Sequence, residues 1–379
     1  MARATPGQTV ILRGGVYREE VLIRDKHGSA NAYITVRSHP NEVATIETEI
    51  GRYGIFLRGS TSYLRIACLD LAGPSLRPAA IPPHENYTRD LVFAGASYDQ
   101  NPLNFGVGIS IGQMSDAPRQ SHHHIDLIGN RVHDYSAGGI SAIGSNHLRI
   151  VSNDVYRNAR YSCYSGSGIS ILWSMNVGGA NNGDGYSSYL VGNRTWQNEN
   201  RSNQCFSSDR GAIKTDGNGI ILDYNNQFAD FSGRTLVANN LSYSNGGAGI
   251  VVFNSPFVDI VNNTSYLNLQ TPDLNGGGVH PEIGTLWARD LRLYNNLVVA
   301  RDGMQGIDDP RWPQAANLIL SAAAAAGVLQ APSTDQGANF APRAGSSPVN
   351  AGVAISAVPN DYYGRSRRGA PDIGAIETG

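Results

Sequence analysis

The sequence predicts an all-β solenoid, a right-handed parallel β-helix with loop insertions on the coils around residues 153–234. Three observations predict it. Short apolar segments closing on Asn recur along the chain. A Gly followed by a β-branched residue interleaves with them. The composition, with 44 Gly in 379 residues and 16% charged residues, disfavours helices, because each Gly inside a helix costs about 1 kcal/mol.

The opening segment Thr9-Val-Ile-Leu-Arg-Gly-Gly-Val-Tyr17 reads as the first strands. The Asn-closed segments then run 125–130, 148–153, 189–193, 236–240, 258–263 and 291–296. Their Asn spacings are 23, 40, 47, 23 and 33 residues. The shortest interval is one coil, and the longer ones are coils with inserted loops. The second marker is Gly54-Ile55, Gly108-Ile109, Gly139-Ile140, Gly168-Ile169, Gly219-Ile220, Gly249-Ile250 and Gly278-Val279. Such a coil cannot bury its apolar residues alone, whereas stacking at the strand spacing of about 4.8 Å makes a continuous core. An Asn at one bend of every coil bonds its neighbours above and below. That role buries the sequons at Asn193, Asn240 and Asn263 and removes them as glycan acceptors. Length and repeat give a single domain over 1–379 with ten to twelve coils, and 310–379 as its closing segment.

A net charge of -2, from 29 Lys+Arg and 31 Asp+Glu, excludes a simple electrostatic nucleic-acid binder. No apolar run approaches the roughly 20 residues of a membrane span. The expected partner is therefore neither nucleic acid nor membrane, and the chain is expected to be a monomer. Strand character within the first ten residues suggests a leader already removed, hence a secreted or periplasmic protein. Cys163 and Cys205, at similar places in consecutive coils, are expected to pair as a disulfide bracing the insertions, and Cys68 to be a core thiol. The run His122-His123-His124 reads as a solvated strand edge, since neighbours on a strand alternate. Asp361, Arg365, Asp372 and Glu377 read as locks of the C-terminal cap.

The first segment, together with Asp361-Tyr-Tyr-Gly-Arg365 and Pro371-Asp-Ile-Gly-Ala-Ile-Glu377, resembles the pectate-lyase-like right-handed β-helix superfamily over nearly the whole chain. This architecture hosts lyases, glycosidases, epimerases, esterases and tailspikes, so the resemblance is specific for fold more than for activity.

Function on a β-helix sits on loops and outward side chains. The insertions cluster on the coils over 153–234, and there lies the polar segment Ser208-Asp-Arg-Gly-Ala-Ile-Lys-Thr-Asp-Gly-Asn-Gly-Ile-Ile-Leu-Asp223. With Ile220 and Leu222 inward, Asp223 points out. In an extended segment Lys214 and Asp216 share a face. The positions aligned with Asp223 on neighbouring coils are Ile143, Leu172, Phe253 and Glu282, with Trp173, Tyr224, Asn254 and His280 beside them. Trp173, Tyr224 and Phe253 are expected as sugar platforms, and Asn254, His280 and Glu282 as further substrate contacts. Glu199 and Arg201 read as solvated loop charges.

The leading expectation is a polysaccharide lyase that cleaves an acidic, uronate-containing polysaccharide by β-elimination. Lys214, one of two Lys among the basic residues, is the expected base, because Lys can be desolvated into its neutral form and Arg far less readily. Arg210 is the expected carboxylate clamp. Ca²⁺ held by Asp184, Asp209, Asp216 and Asp223 is expected to neutralise the substrate carboxylate. In outline this is similar to family-nine polysaccharide lyases, which pair an Asp-rich Ca²⁺ site with a Lys base; the tight Asp-Asp-Gly-x-Asp cluster and a second Lys in the following coil are missing here. The alternatives are a glycoside hydrolase using Asp216 and Asp223, and a non-catalytic glycan-binding or tailspike-like module.

Overall fold

The computed structural model describes residues 3–49, 52–77, 81–95, 104–205, 213–228, 230–309 and 311–378. Each coil contributes one strand to each of three parallel sheets. Sheet A has ten strands, from Thr9–Leu12 to Gln314–Ala315; sheet B has ten, from Gly15–Tyr17 to Leu318–Ser321; sheet C has nine, from Val21–Arg24 to Gln305–Ile307. Neighbouring strands come from successive coils, and such parallel crossovers wind right-handed. The coils continue to Ser321, beyond the expected border at 310. A helix, Ala322–Val328, and an antiparallel pair, Leu329–Ala331 with Asn339–Pro342, follow. Among the described residues, no helix is long and apolar enough to cross a membrane.

The Gly-Ile marker is explained by sheet C. Ile55, Ile109, Ile140, Ile169, Ile220, Ile250 and Ile283 are in register and fully buried. The residue before each must approach the interior closely. A Cβ at Gly139 would lie 2.4 Å from Val155, and one at Gly219 would lie 2.0 Å from the Ser242 hydroxyl. On the coil after Ile250 the stack is continued by Ile283, not by Val279, and Ile307 follows in register. Gly278 and Val279 belong to an exposed loop in which three consecutive glycines have positive φ.

The Asn ladder forms as expected. Asn130, Asn153, Asn193, Asn240 and Asn263 each donate backbone N–H and Nδ2 to Oδ1 of the Asn one coil on, and Asn296 continues it to Asn317. A second ladder, five residues later in each coil, joins Asn158, Asn198, Asn245 and Asn268 in the same way. These ladders satisfy bend amides that burial would otherwise orphan.

Cys163 and Cys205 are disulfide-bonded. Cys68 is exposed, not in the core, because its positive φ turns the side chain outward. The His run is packed and not solvated. His122 is fully buried against Thr61, and the His124 ring lies between Tyr63 and His147. Burial pushes His122 and His124 down to about 4, so they pack as neutral rings. In the cap, Arg365 forks onto Asp361 and Arg367 pairs with Glu377, while Asp372 accepts from Asn350 and Thr378.

Candidate functional site

The outward face of sheet C carries two rows of aligned side chains. One is Ser141, Ser170, Ile221 and Val251, and the next is Ile143, Leu172, Asp223 and Phe253. Asp223 is thus a lone carboxylate set among apolar neighbours. Burial lifts it from 3.8 to about 7, since desolvation penalises the charged form. Ile221, although outward, is 6% exposed, so the floor beside Asp223 is dry.

Asp216 lies just upstream. Its segment is not extended: φ is +63° at Asp216 and +71° at Gly217. That turn brings its carboxylate to the Asn218 amide, which donates at 3.1 Å, and to the Thr215 hydroxyl at 3.3 Å. Burial holds Asp216 well above the usual carboxylate range, the charge of Asp223 adds to this, and Thr215 opposes it. Two desolvated carboxyls that feel one another cannot both ionise readily. Near neutrality the pair therefore retains a proton, which fits it for acid/base work.

Lys214 does not join them. The left-handed turn breaks the alternation that would put it on the face of Asp216. Lys214 instead bridges Leu274, and its ammonium pairs with Glu85 at 3.2 Å. His280 contacts the same loop, with Nε2 2.9 Å from the Leu274 carbonyl, rather than lining the aromatic row.

Glu282 is inside the coil. It occupies the place of the ladder glycines, donating nothing to the outer face, and caps the second Asn ladder. Its carboxylate accepts from the Ser265 hydroxyl, the Asn268 N–H and Asn268 Nδ2, each at 2.7 Å. The residue that aligns with Asp223 on that coil is near Leu286, as the Asn254 N–H bond to Leu286 shows. The four-residue difference is that between Val279 and Ile283 as the start of the strand.

Of the three expected rings, Tyr224 and Phe253 meet each other and Trp173 meets Phe228. Trp173, Tyr224, Asn254 and Trp287 follow successive sheet C strands, each with positive φ. Tyr224 meets Phe253, and Phe253 meets Trp287, both with ring centroids 5.1 Å apart; Trp173 meets Phe228 at 5.1 Å. Trp287 and Phe228, which alternation from Val279 does not place here, are 66% and 41% exposed. Placing Ile283 in the isoleucine stack would have revealed Trp287.

Of the four carboxylates expected for Ca²⁺, Asp184, Asp216 and Asp223 lie among the described residues. Asp184 lies beside sheet A, where the Tyr189 hydroxyl and the Tyr186 N–H donate to it. Asp209 and Arg210 lie outside the described residues. Among the described residues, no three His, Cys, Asp or Glu side chains converge on a common point.

No protein-family profile matches the sequence, and no curated protein does. Solved structures similar to this chain include pectate lyase Pel9A, at 14% identity over all of this chain and 90% of that one, with a TM-score of 0.51. An alginate lyase from Paenibacillus sp. str. FPU-7 is 14% identical over 84% of this chain and 94% of that one, with a TM-score of 0.37. The Dettilon tailspike protein is 14% identical, TM-score 0.38, and this chain spans 62% of its length. The likeness to Pel9A is one of fold, and it agrees with the right-handed parallel β-helix built above.

Proposed function

We propose that this chain is a polysaccharide-cleaving enzyme, with Asp216 and Asp223 as the bond-breaking groups and a glycan stacked on the neighbouring rings. The carrying observation is the desolvated Asp216–Asp223 pair beside an exposed row of aromatic side chains. Rings set on successive coils are spaced at about 4.8 Å, so a chain of pyranoses laid along the axis meets an apolar face and polar edges. Hydrolysis is the chemistry this pair supports best. The protonated carboxyl gives its proton to the glycosidic oxygen as the C–O bond breaks. The partner carboxylate takes a proton from the water whose oxygen bonds to the anomeric carbon.

β-Elimination from a uronate is the second reading. It is supported by Lys214, two residues from Asp216 in the chain and paired with Glu85. In that reading the neutral Lys214 amine removes the proton α to the carboxylate, the C4–O bond breaks with its oxygen taking a proton from water or a neighbouring carboxyl, and the product carries a C=C bond. The disulfide supports secretion or a periplasmic location, since such bonds persist in oxidising compartments.

The test is incubation with a panel of neutral and uronate polysaccharides. Hydrolysis yields new reducing ends with no ultraviolet absorbance of an unsaturated sugar, and Asp216→Asn and Asp223→Asn abolish it. Unsaturated product that is lost in Lys214→Ala would replace the first reading by the second. Glycan binding without cleavage of any polymer would overturn both.

A further inference from the structure

Asn218 is an asparagine outside both ladders. It stands one residue before the coil glycine Gly219, where other coils have Tyr53, Val107, Gly138, Ser167 and Ala248. The coil itself therefore asks for no amide at this place. Asn218 is nonetheless buried, and both polar atoms of its side chain are engaged. The Ala248 N–H, from the next coil, donates to Oδ1 at 2.9 Å. A backbone N–H can only donate, so this bond fixes the amide with Nδ2 on the other side. Nδ2 then faces two acceptors, Asp216 Oδ1 at 3.1 Å and Ser167 Oγ at 3.3 Å. The contact is close: a Cβ at Gly247 would lie 2.4 Å from Asn218 Oδ1 and 2.4 Å from the Asp216 carbonyl oxygen. The glycine lets the next coil reach this amide. The charged groups nearby are Asp223 on the strand that follows, Lys214 upstream with its partner Glu85, and Glu199, which lies beside Gly217 and is bonded by Arg201.

We propose that Asn218 is a positioning residue that decides which oxygen of Asp216 carries the acid proton. The N–H aimed at Oδ1 makes that oxygen an acceptor and leaves Oδ2 to bear the hydrogen. Oδ2 is the oxygen beside the Thr215 hydroxyl, at 3.3 Å, and a hydroxyl can accept from the acid or donate to the carboxylate. The acid form is thus held in one orientation before a substrate arrives. The inference rests on the reading of Asp216 and Asp223 as the acid/base pair, and it deepens that reading by making Asp216 the acid. The proton passes from Asp216 Oδ2 to the glycosidic oxygen as the C–O bond breaks. The carboxylate left behind then accepts from both Asn218 Nδ2 and the Thr215 hydroxyl.

The test is NMR of the full chain with isotope-labelled aspartate carboxyls, titrated in wild type, Asn218→Leu and Ser167→Ala, the Asp216 signal being the one lost in Asp216→Asn. Removing a donor disfavours the charged form, so the Asp216 midpoint is expected to rise by about one pH unit in Asn218→Leu. It is expected to stay in place in Ser167→Ala, which takes a partner from Asn218 but keeps the bond to Asp216. On a cleaved polysaccharide, the alkaline limb of kcat/KM should move up with the midpoint, and kcat should fall roughly tenfold with KM held. An Asn218 with a merely structural role would lower thermal unfolding in both variants and leave the Asp216 midpoint unmoved, and that result overturns the proposal. Should Asn218→Leu fail to fold, Asn218→Asp keeps the size and the acceptor for Ala248 while turning the donor into an acceptor. Its Asp216 midpoint is expected to rise as well, and an unmoved one overturns the proposal equally. Full cleavage by Asp216→Asn would instead overturn the catalytic reading, and the midpoint would still decide by itself whether Asn218 holds the Asp216 proton.

Discussion

Glu282 is a fully buried carboxylate, and its removal has a calculable cost. Three donors end on it, at 2.7 Å each: the Ser265 hydroxyl, the Asn268 N–H and Asn268 Nδ2. Glu282→Ala orphans the Ser265 hydroxyl proton and the Asn268 N–H, at about 1–3 kcal/mol for each buried group, while Asn268 Nδ2 keeps the Ser242 carbonyl. With water entering the space left behind, about 3–5 kcal/mol of stability should be lost. Glu282→Gln is more informative. It keeps the shape but offers one acceptor oxygen, so it leaves a donor facing a donor, and it removes the titration. Burial lifts Glu282 from 4.5 to about 7. A raised carboxyl favours the fold fully at pH values below 4.5, and the advantage is lost as the pH rises through about 7. That rise is worth about 3 kcal/mol. Urea unfolding of both proteins across this range gives the difference in stability. Wild type should exceed Glu282→Gln at the acid end, and the gap should shrink by about 3 kcal/mol toward the alkaline end. A gap independent of pH would refute the assignment of Glu282 as a buried, proton-retaining cap.

Three further outcomes follow from the same geometry. Asp223 rises from 3.8 to about 7, so its stabilising effect is present at acid pH and lost through neutrality; discounted for partial exposure, Asp223→Asn should be more stable than wild type by about 2 kcal/mol above that range, as read by urea unfolding. Trp287→Ala, which removes the most exposed ring of the row, should raise KM for an oligosaccharide about fivefold with kcat little changed, because one stacking contact is worth about 1 kcal/mol; steady-state kinetics on a defined oligomer checks it. Cys163→Ser opens a bridge with a sequence separation of 42, and loop entropy puts the loss at about 4 kcal/mol, measured against wild type in oxidised and reduced form.

The repeats were legible wherever one residue type does one job in every coil. The first Asn ladder and the isoleucine stack are such cases, because a β-helix reuses the same bend and the same inward position. The second ladder carried the same spacing, shifted by five residues, and was equally available. Legibility failed where local backbone departs from the strand. At Asp216 and Gly217 two left-handed residues end the extended run that alternation assumes, and Lys214 pairs with Glu85 instead. At Cys68 a positive φ reverses the side chain. Near Gly278 a glycine followed by a valine mimics the marker, while the interior place is filled by Glu282. That one register error also hid Trp287. Residue type alone marks Asp216 and Asp223 as candidates, but the dryness that makes them proton-retaining arises from packing around Ile221 and from the turn itself.

The most direct test of the carboxyl pair is the pH dependence of kcat/KM on a cleaved polysaccharide, which reports the groups of the free enzyme. The account predicts a bell with an acid limb near pH 7, where Asp223 gives up its proton to serve as the base, an alkaline limb above it where Asp216 loses its own, and loss of about two to four orders of magnitude in Asp223→Asn. Activity that climbs steadily into the alkaline range and survives Asp223→Asn would contradict it and point to an amine base.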